Sequence, residues 1–237
     1  MAHCALDDRS ENRALMNKLG REIDILKNYP KAKRDLTARL ESKSEESRTI
    51  GRRFGFDYFD GDRNHGYGGF HYSPKFWQPV IPTIIENYGV SSTSRVLDVG
   101  CAKGFFLYDL TLALPGVQVS GIDISNYAIR ESLLQIQPFL RAGNATSLPY
   151  EDKHFDFVIS INTIHNLDRK DCATALQEIE RVTGGSSFIT VDAYRNEDEK
   201  ARMEAWNLTA LTMMSVDEWK DFFVEVGYSG DYYWFIP

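Results

Sequence analysis

Two aspartates and two glycines stand at spacings that suit a ligand with several polar groups. In "RVLDVGCAKGFF" (95–106) an apolar run reaches Asp98, passes Gly100, Cys101, Ala102 and Lys103 to Gly104, and continues into Phe105 and Phe106. The pattern is neither G-x-G-x-x-G nor G-x-x-x-x-G-K-[ST], the two common phosphate-holding turns. An acid at a strand end repels a pyrophosphate but attracts an ammonium group. A helix starting near Gly104 offers free N–H groups and a positive dipole end, which suit a carboxylate. A ligand with both groups is an amino acid. Asp123 follows 25 residues after Asp98, at the end of "VQVSGIDI". An acid at the tip of a second strand accepts hydrogen bonds from ribose hydroxyls. An amino-acid end joined to a ribose describes S-adenosylmethionine.

These residues need a scaffold, and the hydrophobic pattern supplies one. "RVLDV" (95–99) is a continuous apolar and β-branched run, as expected for a strand covered on both faces. Further strands are expected at 117–124, 139–144, 155–161 and 186–193, with helices at 105–114, 126–137, 172–182 and 216–228. Strands alternating with helices predict an α/β fold: a doubly wound, mostly parallel sheet of six or seven strands with right-handed crossovers. After residue 228 only "DYYWFIP" (231–237) has strand character. The sheet therefore stops at six strands or takes a closing strand from elsewhere.

At this point the chain resembles the class I, Rossmann-like S-adenosylmethionine-dependent methyltransferases over roughly residues 75–230. The resemblance rests on "VLDVGCAKG", "GIDIS", "GNATSLPYEDKHFDFVIS" and "INTIHNL" in that order. It implies that Asp98, Gly100, Cys101 and Gly104 form the turn under the methionine part, with Ala102 where the family most often has a further glycine. It places Asp123 at the ribose, Ile124 against the adenine, and Asn144 and Ala145 at the adenine border. Ser160, Ile161 and Asn162 would line the floor under the sulfonium. Lys103 falls at a variable position and is expected to be solvated.

For the acceptor, "INTIHN" lacks the prolines of an NPPY-type motif, and no Pro-Cys pair marks a cytosine nucleophile. A small-molecule acceptor, methylated on nitrogen or oxygen and with an amine favoured, is the expectation. Its base would come from His165, Asp192, His71 or Tyr67, and His165 is expected to titrate near neutrality. His3 and His154 read as surface residues. The fourth strand ends in Asn162 and not an acid, so no metal is expected. The stretch "FDYFDGDRNHGYGGFHY" (56–72) is dense in glycine and aromatic residues and reads as a lid. Tyr58, Phe59, Tyr67, Phe70, Tyr72, Trp77 and Trp206 could offer faces around one small cavity; Phe59, Phe70 and Trp77 read as core. A protein or carrier-bound acceptor, and a non-catalytic cofactor-binding relative, stay open.

Charge divides the chain. Residues 1–53 carry net +4 and the remainder net −11, for −7 overall. The expected organisation is an N-terminal helical extension (1–53), a lid loop (54–74) and a methyltransferase-like domain (75–237) with a helical insert at about 194–214. Leu15, Leu19, Ile23 and Leu26 read as one helical stripe ended by Pro30, and Leu36 and Leu40 as a second short helix. These are too short and polar to stand alone, so they should dock on the core or on a second subunit, as in a homodimer. The acidic balance argues against a nucleic-acid partner. Cys4, Cys101 and Cys172 have no metal or disulfide spacing. "MAHCALDDRSENR" has no apolar leader stretch, and no apolar run approaches a span of about 18 residues, so a cytoplasmic protein away from membranes is expected.

Overall fold

The computed structural model describes residues 19–30 and 44–237. The strands are β1 (Arg95–Val99), β2 (Gln118–Asp123), β3 (Leu140–Ala142), β4 (Phe155–Ile161), β5 (Thr183–Tyr194), β6 (Met214–Ser215) and β7 (Asp231–Phe235). The helices are α1 (Glu45–Gly51), α2 (Phe56–Phe59), α3 (Pro74–Trp77), α4 (Ile81–Tyr88), α5 (Phe105–Ala113), α6 (Asn126–Arg130), α7 (Arg169–Val182), α8 (Glu197–Trp206) and α9 (Val216–Val226). The sheet has seven strands in the order β3-β2-β1-β4-β5, with β6 and β7 both paired to β5. Every pairing among them is parallel. This is the doubly wound α/β sheet that the sequence predicts.

Alternation along the strands builds two cores. In β1, Leu97 and Val99 pack towards the layer of α7 and α9, while Val96 packs towards α4 and α5. All three are wholly buried, and full burial of such a side chain contributes roughly 1.5–3 kcal/mol. The strand order reverses between β1 and β4, so the crevice beyond their carboxyl ends is where a ligand fits. The residues from Asp98 to Gly104 stand at that place.

The N-terminal extension does contain a helix, α1, capped by the Ser44 side chain. The stripe from Leu19 to Leu26 is not one. Glu22 forms a parallel bridge with Tyr232, the Ile23 N–H donates to Tyr232 O at 3.0 Å, and the Tyr232 N–H donates to Arg21 O at 3.0 Å. The physical reason is the open edge of β7, whose N–H and C=O groups need partners. Ile25 is wholly buried in the core there, and the Arg21 guanidinium clasps the Asp231 carboxylate at 2.7 Å. The edge is thus closed by a segment from elsewhere in the chain, and residues 20–25 belong with the core. Leu15, Leu36, Leu40, His3 and Cys4 lie outside the described residues. The helix expected over 126–137 is shorter, α6 ending at Arg130 before a loop and a 3-10 turn at Gln137–Phe139.

Candidate functional site

The turn after β1 is fixed from beneath. The Gly100 and Cys101 N–H groups both donate to Ile122 O, at 2.7 and 3.1 Å, and the Gly104 N–H donates to Cys101 O at 2.8 Å. Gly100 has φ +88, and a Cβ there would meet Thr163 Oγ1 at 2.0 Å, so the turn admits only glycine at this position. Ala102 adopts φ +48, a conformation that costs an L-residue roughly 1 kcal/mol. Cys101 turns its thiol into the core, close to Gly121, and burial, then Asp98 and Asp123, push it well above the usual range.

The two aspartates share this corner. Asp123 accepts the Ala102 N–H on one oxygen and the Ser125 N–H on the other, both at 2.8 Å. Burial raises its carboxyl, and those two bonds oppose the shift. Each oxygen keeps a lone pair for a further donor. Asp98 is buried, and burial, followed by the charge of Asp123, pushes its carboxyl up to about 8. Among the described residues no cation stands beside it. A ligand that brings an ammonium to Asp98 and hydroxyls to Asp123 meets what this pair lacks, and the residues fit S-adenosylmethionine on that ground.

Lys103 is the cation next door, and it faces away. Its side chain is 5% exposed and its Nζ lies 2.6 Å from Asp60 Oδ2, so the expectation of a solvated lysine is corrected. The reason is that 54–72 folds back over the turn and covers it. The Tyr127 hydroxyl donates to the same Asp60 oxygen at 2.6 Å, and the Phe70 N–H to the other at 2.9 Å. Although burial works to raise the Asp60 carboxyl, the bonds from Lys103, Tyr127 and Phe70 hold it at about 2. The Ser125 hydroxyl donates to Phe54 O, Phe70 stacks on Phe105, and the Tyr72 hydroxyl donates to Asp109 at 2.6 Å. Tyr58 packs edge-on against Phe59 and Tyr67. Burial, then Tyr67, push its hydroxyl well above the phenolic range, while Thr209, within hydrogen-bond reach, opposes the shift.

The ends of β4 and β5 form the other wall. Asn162 has φ +50, is exposed, and holds Thr190 through its N–H and its Oδ1. His165 is buried, and its Nδ1 accepts the Asp192 N–H at 3.0 Å. The ring proton therefore sits on Nε2 in the neutral form, 3.7 Å from Asp192 Oδ1. Burial lowers the imidazole from its usual value, against the pull of Asp192, so the charged form is disfavoured at the residue the sequence offered as a base. The backbone of this region is tied down as well: Leu211 and Thr212 N–H groups donate to His165 O, and the Trp219 indole donates to Asp192 O.

The structure brings Asp98, Gly100, Gly104 and Asp123 together, and places His165 against Asp192. Ile124 is exposed at the mouth, and Asn144 closes an Asx turn onto the Thr146 N–H beside Ala145. Tyr67 is 45% exposed and His71 is exposed, at the edge of the loop. The seven aromatics do not ring one cavity. Trp77 packs on Tyr29 and Phe106, and Trp206 on Phe235, while Phe59, Tyr67 and Phe70 cluster with Tyr58. Sequence reasoning missed Asp60, Ser125 and Thr209, and it named Lys103 only as a solvated side chain. The aromatic density of 56–72 was the one signal pointing to that neighbourhood.

Residues 97–204 match the family model described as a methyltransferase domain. A demethylmenaquinone methyltransferase of Roseiflexus sp. (strain RS-1) is 30% identical over 119 residues, covering 48% of this chain and 49% of that protein. The O-methyltransferase rstn1 of Aspergillus nomiae is 33% identical over 104 residues, 41% of this chain and 45% of that one. The chain thus spans about half the length of the curated relatives it matches. A chain of the complex between the Haloferax volcanii Trm112 methyltransferase activator and a methyltransferase superposes with TM-score 0.52 at 21% identity, over 62% of this chain and 66% of its own. The YcgJ protein of Bacillus subtilis gives 0.51 at 24%, over the same shares. These two likenesses speak for the fold. With the family match, the likeness to class I S-adenosylmethionine-dependent methyltransferases drawn from the sequence is met.

Proposed function

We propose that this chain, which carries a methyltransferase domain of the class I fold, transfers methyl from S-adenosylmethionine to a nitrogen or oxygen of a small molecule. The observation that carries the reading is the pair Asp98, buried, and Asp123, partly buried, at the sheet's switch point, two carboxyl groups with no cation beside Asp98 among the described residues. When bound, S-adenosylmethionine supplies a methyl group already activated on a sulfonium. What remains for the protein is alignment and exclusion of water. Asp98 would hold the ammonium, the turn from Gly100 to Gly104 the amino-acid end, and Asp123 the ribose hydroxyls. Ile124, Asn144 and Ala145 would border the adenine, and Asn162 the sulfonium.

The acceptor would enter between 54–72 and the ends of β4 and β5. Tyr58, with its hydroxyl held protonated, would donate a hydrogen bond to an acceptor and fix its direction. Tyr67 would support that ring from the rim. His165 and Asp192 are read as a positioning pair that locks the β4 loop to β5 and to 211–212, because both imidazole nitrogens are turned to Asp192. His71 is given no role. The net −11 of residues 54–237 favours a cationic or amine acceptor. The segment tied across the turn supports a small acceptor over a protein one.

The test is calorimetric titration with S-adenosylmethionine and S-adenosylhomocysteine, followed by methylation of small amines and phenols with labelled donor. Binding of both, weakened at least tenfold by Asp98→Asn, is the expected result. A folded protein that binds neither would remove the reading.

A further inference from the structure

Both turns that would hold the donor also hold the segment above them. From the turn after β1, Lys103 reaches Asp60 at 2.6 Å and Phe105 stacks on Phe70. From the turn after β2, Tyr127 donates to the same Asp60 oxygen, and the Ser125 hydroxyl donates to Phe54 O. Asp60 is the point where the two sets of ties meet, since its second oxygen takes the Phe70 N–H of its own segment. Lys103 lies between Ala102, whose backbone is strained at φ +48, and Gly104 at φ +71. Its backbone is therefore part of the turn, while its ammonium belongs to the segment. The Ala102 N–H also donates to Asp123, so the shape of the turn, the ribose-binding acid and the segment are joined by consecutive residues.

We propose that Asp60 and Lys103 are a positioning pair that couples donor binding to the seating of residues 54–72. This rests on the functional reading above, because the turn that Lys103 anchors is the one that would hold the donor. Linkage is reciprocal: if a bound donor fixes the turn and so holds the segment down, the seated segment strengthens donor binding by the same factor. Neither residue touches the reacting atoms. Their effect passes through the turn on one side and, through Tyr58 and Phe70, the acceptor wall on the other.

The experiment reads the segment directly. In the wild-type protein S-adenosylhomocysteine should slow tryptic cleavage after Arg63, which is exposed, and amide exchange at Phe70, each about tenfold. Asp60→Asn alone leaves Lys103 buried without its counter-charge, so the double variant Asp60→Asn with Lys103→Met is the informative one. It should keep the unliganded melting temperature within a few degrees. It should also bind S-adenosylhomocysteine about tenfold more weakly, and cleavage after Arg63 should no longer respond to ligand. A folded double variant that binds within twofold of wild type and keeps the ligand-dependent protection overturns the proposal. If the double variant does not fold, Phe70 exchange in the wild type still decides, since exchange unaffected by bound ligand overturns the coupling. A wild-type protein that binds no ligand overturns the functional reading and this pair's role together. One that binds, with Arg63 cleavage and Phe70 exchange unchanged, overturns the pair alone.

Discussion

Replacing Asp98 by asparagine keeps the shape of the side chain and removes its charge. The carboxyl is pushed by burial, and then by Asp123, from 3.8 up to about 8. The folded protein thus holds a proton there that the unfolded chain releases near pH 4. Stability from this group is present in full below pH 4 and is lost as the pH rises through about 8. The shift of about 4 units, at about 1.4 kcal/mol each, sets a ceiling of about 6 kcal/mol above pH 8. Relaxation and water reduce it, but a quarter of that ceiling, about 1.5 kcal/mol, already moves the melting temperature by about 3–6 °C in a chain of this size. Asp98→Asn should therefore melt higher than wild type at pH 8.5, with the difference closing towards pH 5. The same change should weaken ligand binding: a charge-assisted bond to an ammonium contributes about 1.5–3 kcal/mol, or ten- to a hundredfold in affinity. Melting curves from pH 5 to 9, with and without S-adenosylhomocysteine, read both effects. A stability difference that does not depend on pH, or a variant that binds like wild type, would refute the assignment of Asp98 as the ammonium partner.

Asp123→Ala should weaken S-adenosylhomocysteine at least tenfold by calorimetry while leaving a folded protein, since it removes the ribose acceptor along with the Ala102 and Ser125 bonds; unchanged affinity would place the ribose elsewhere. Gly100→Ala should destabilise strongly in denaturant titration, by about 2–4 kcal/mol from the clash with Thr163 and the positive φ, and adding Thr163→Ala should recover part of that loss. Ala102→Gly should be neutral or stabilise by up to about 1 kcal/mol, because it relieves a left-handed alanine. Tyr58→Phe should lower turnover while donor affinity stays within a few-fold, and equal loss of both would move Tyr58 from the acceptor to the donor side.

What the sequence determined by itself was the layered scaffold and the corner it builds. β1 and β4 fall on the residues expected for them, because a strand covered on both faces must be apolar throughout and its turn must break with glycine. Asp98, Gly100, Gly104 and Asp123 are local to such strand ends, so their types and spacing carry the signal. The tertiary structure decided what depends on meetings across long stretches of chain. Residues 19–26 have helical spacing, yet the open edge of β7 draws Arg21–Ile23 into pairing with Tyr232, and no local pattern records that edge. Lys103 looks like a solvated charge until Asp60, 43 residues earlier, comes to lie 2.6 Å away and the loop excludes water from both. His165 sits at the end of β4 as expected, but its titration is set by burial against β5, through Asp192, 27 residues on. A side chain's charge is written in its type; whether water reaches it is fixed only when distant segments pack.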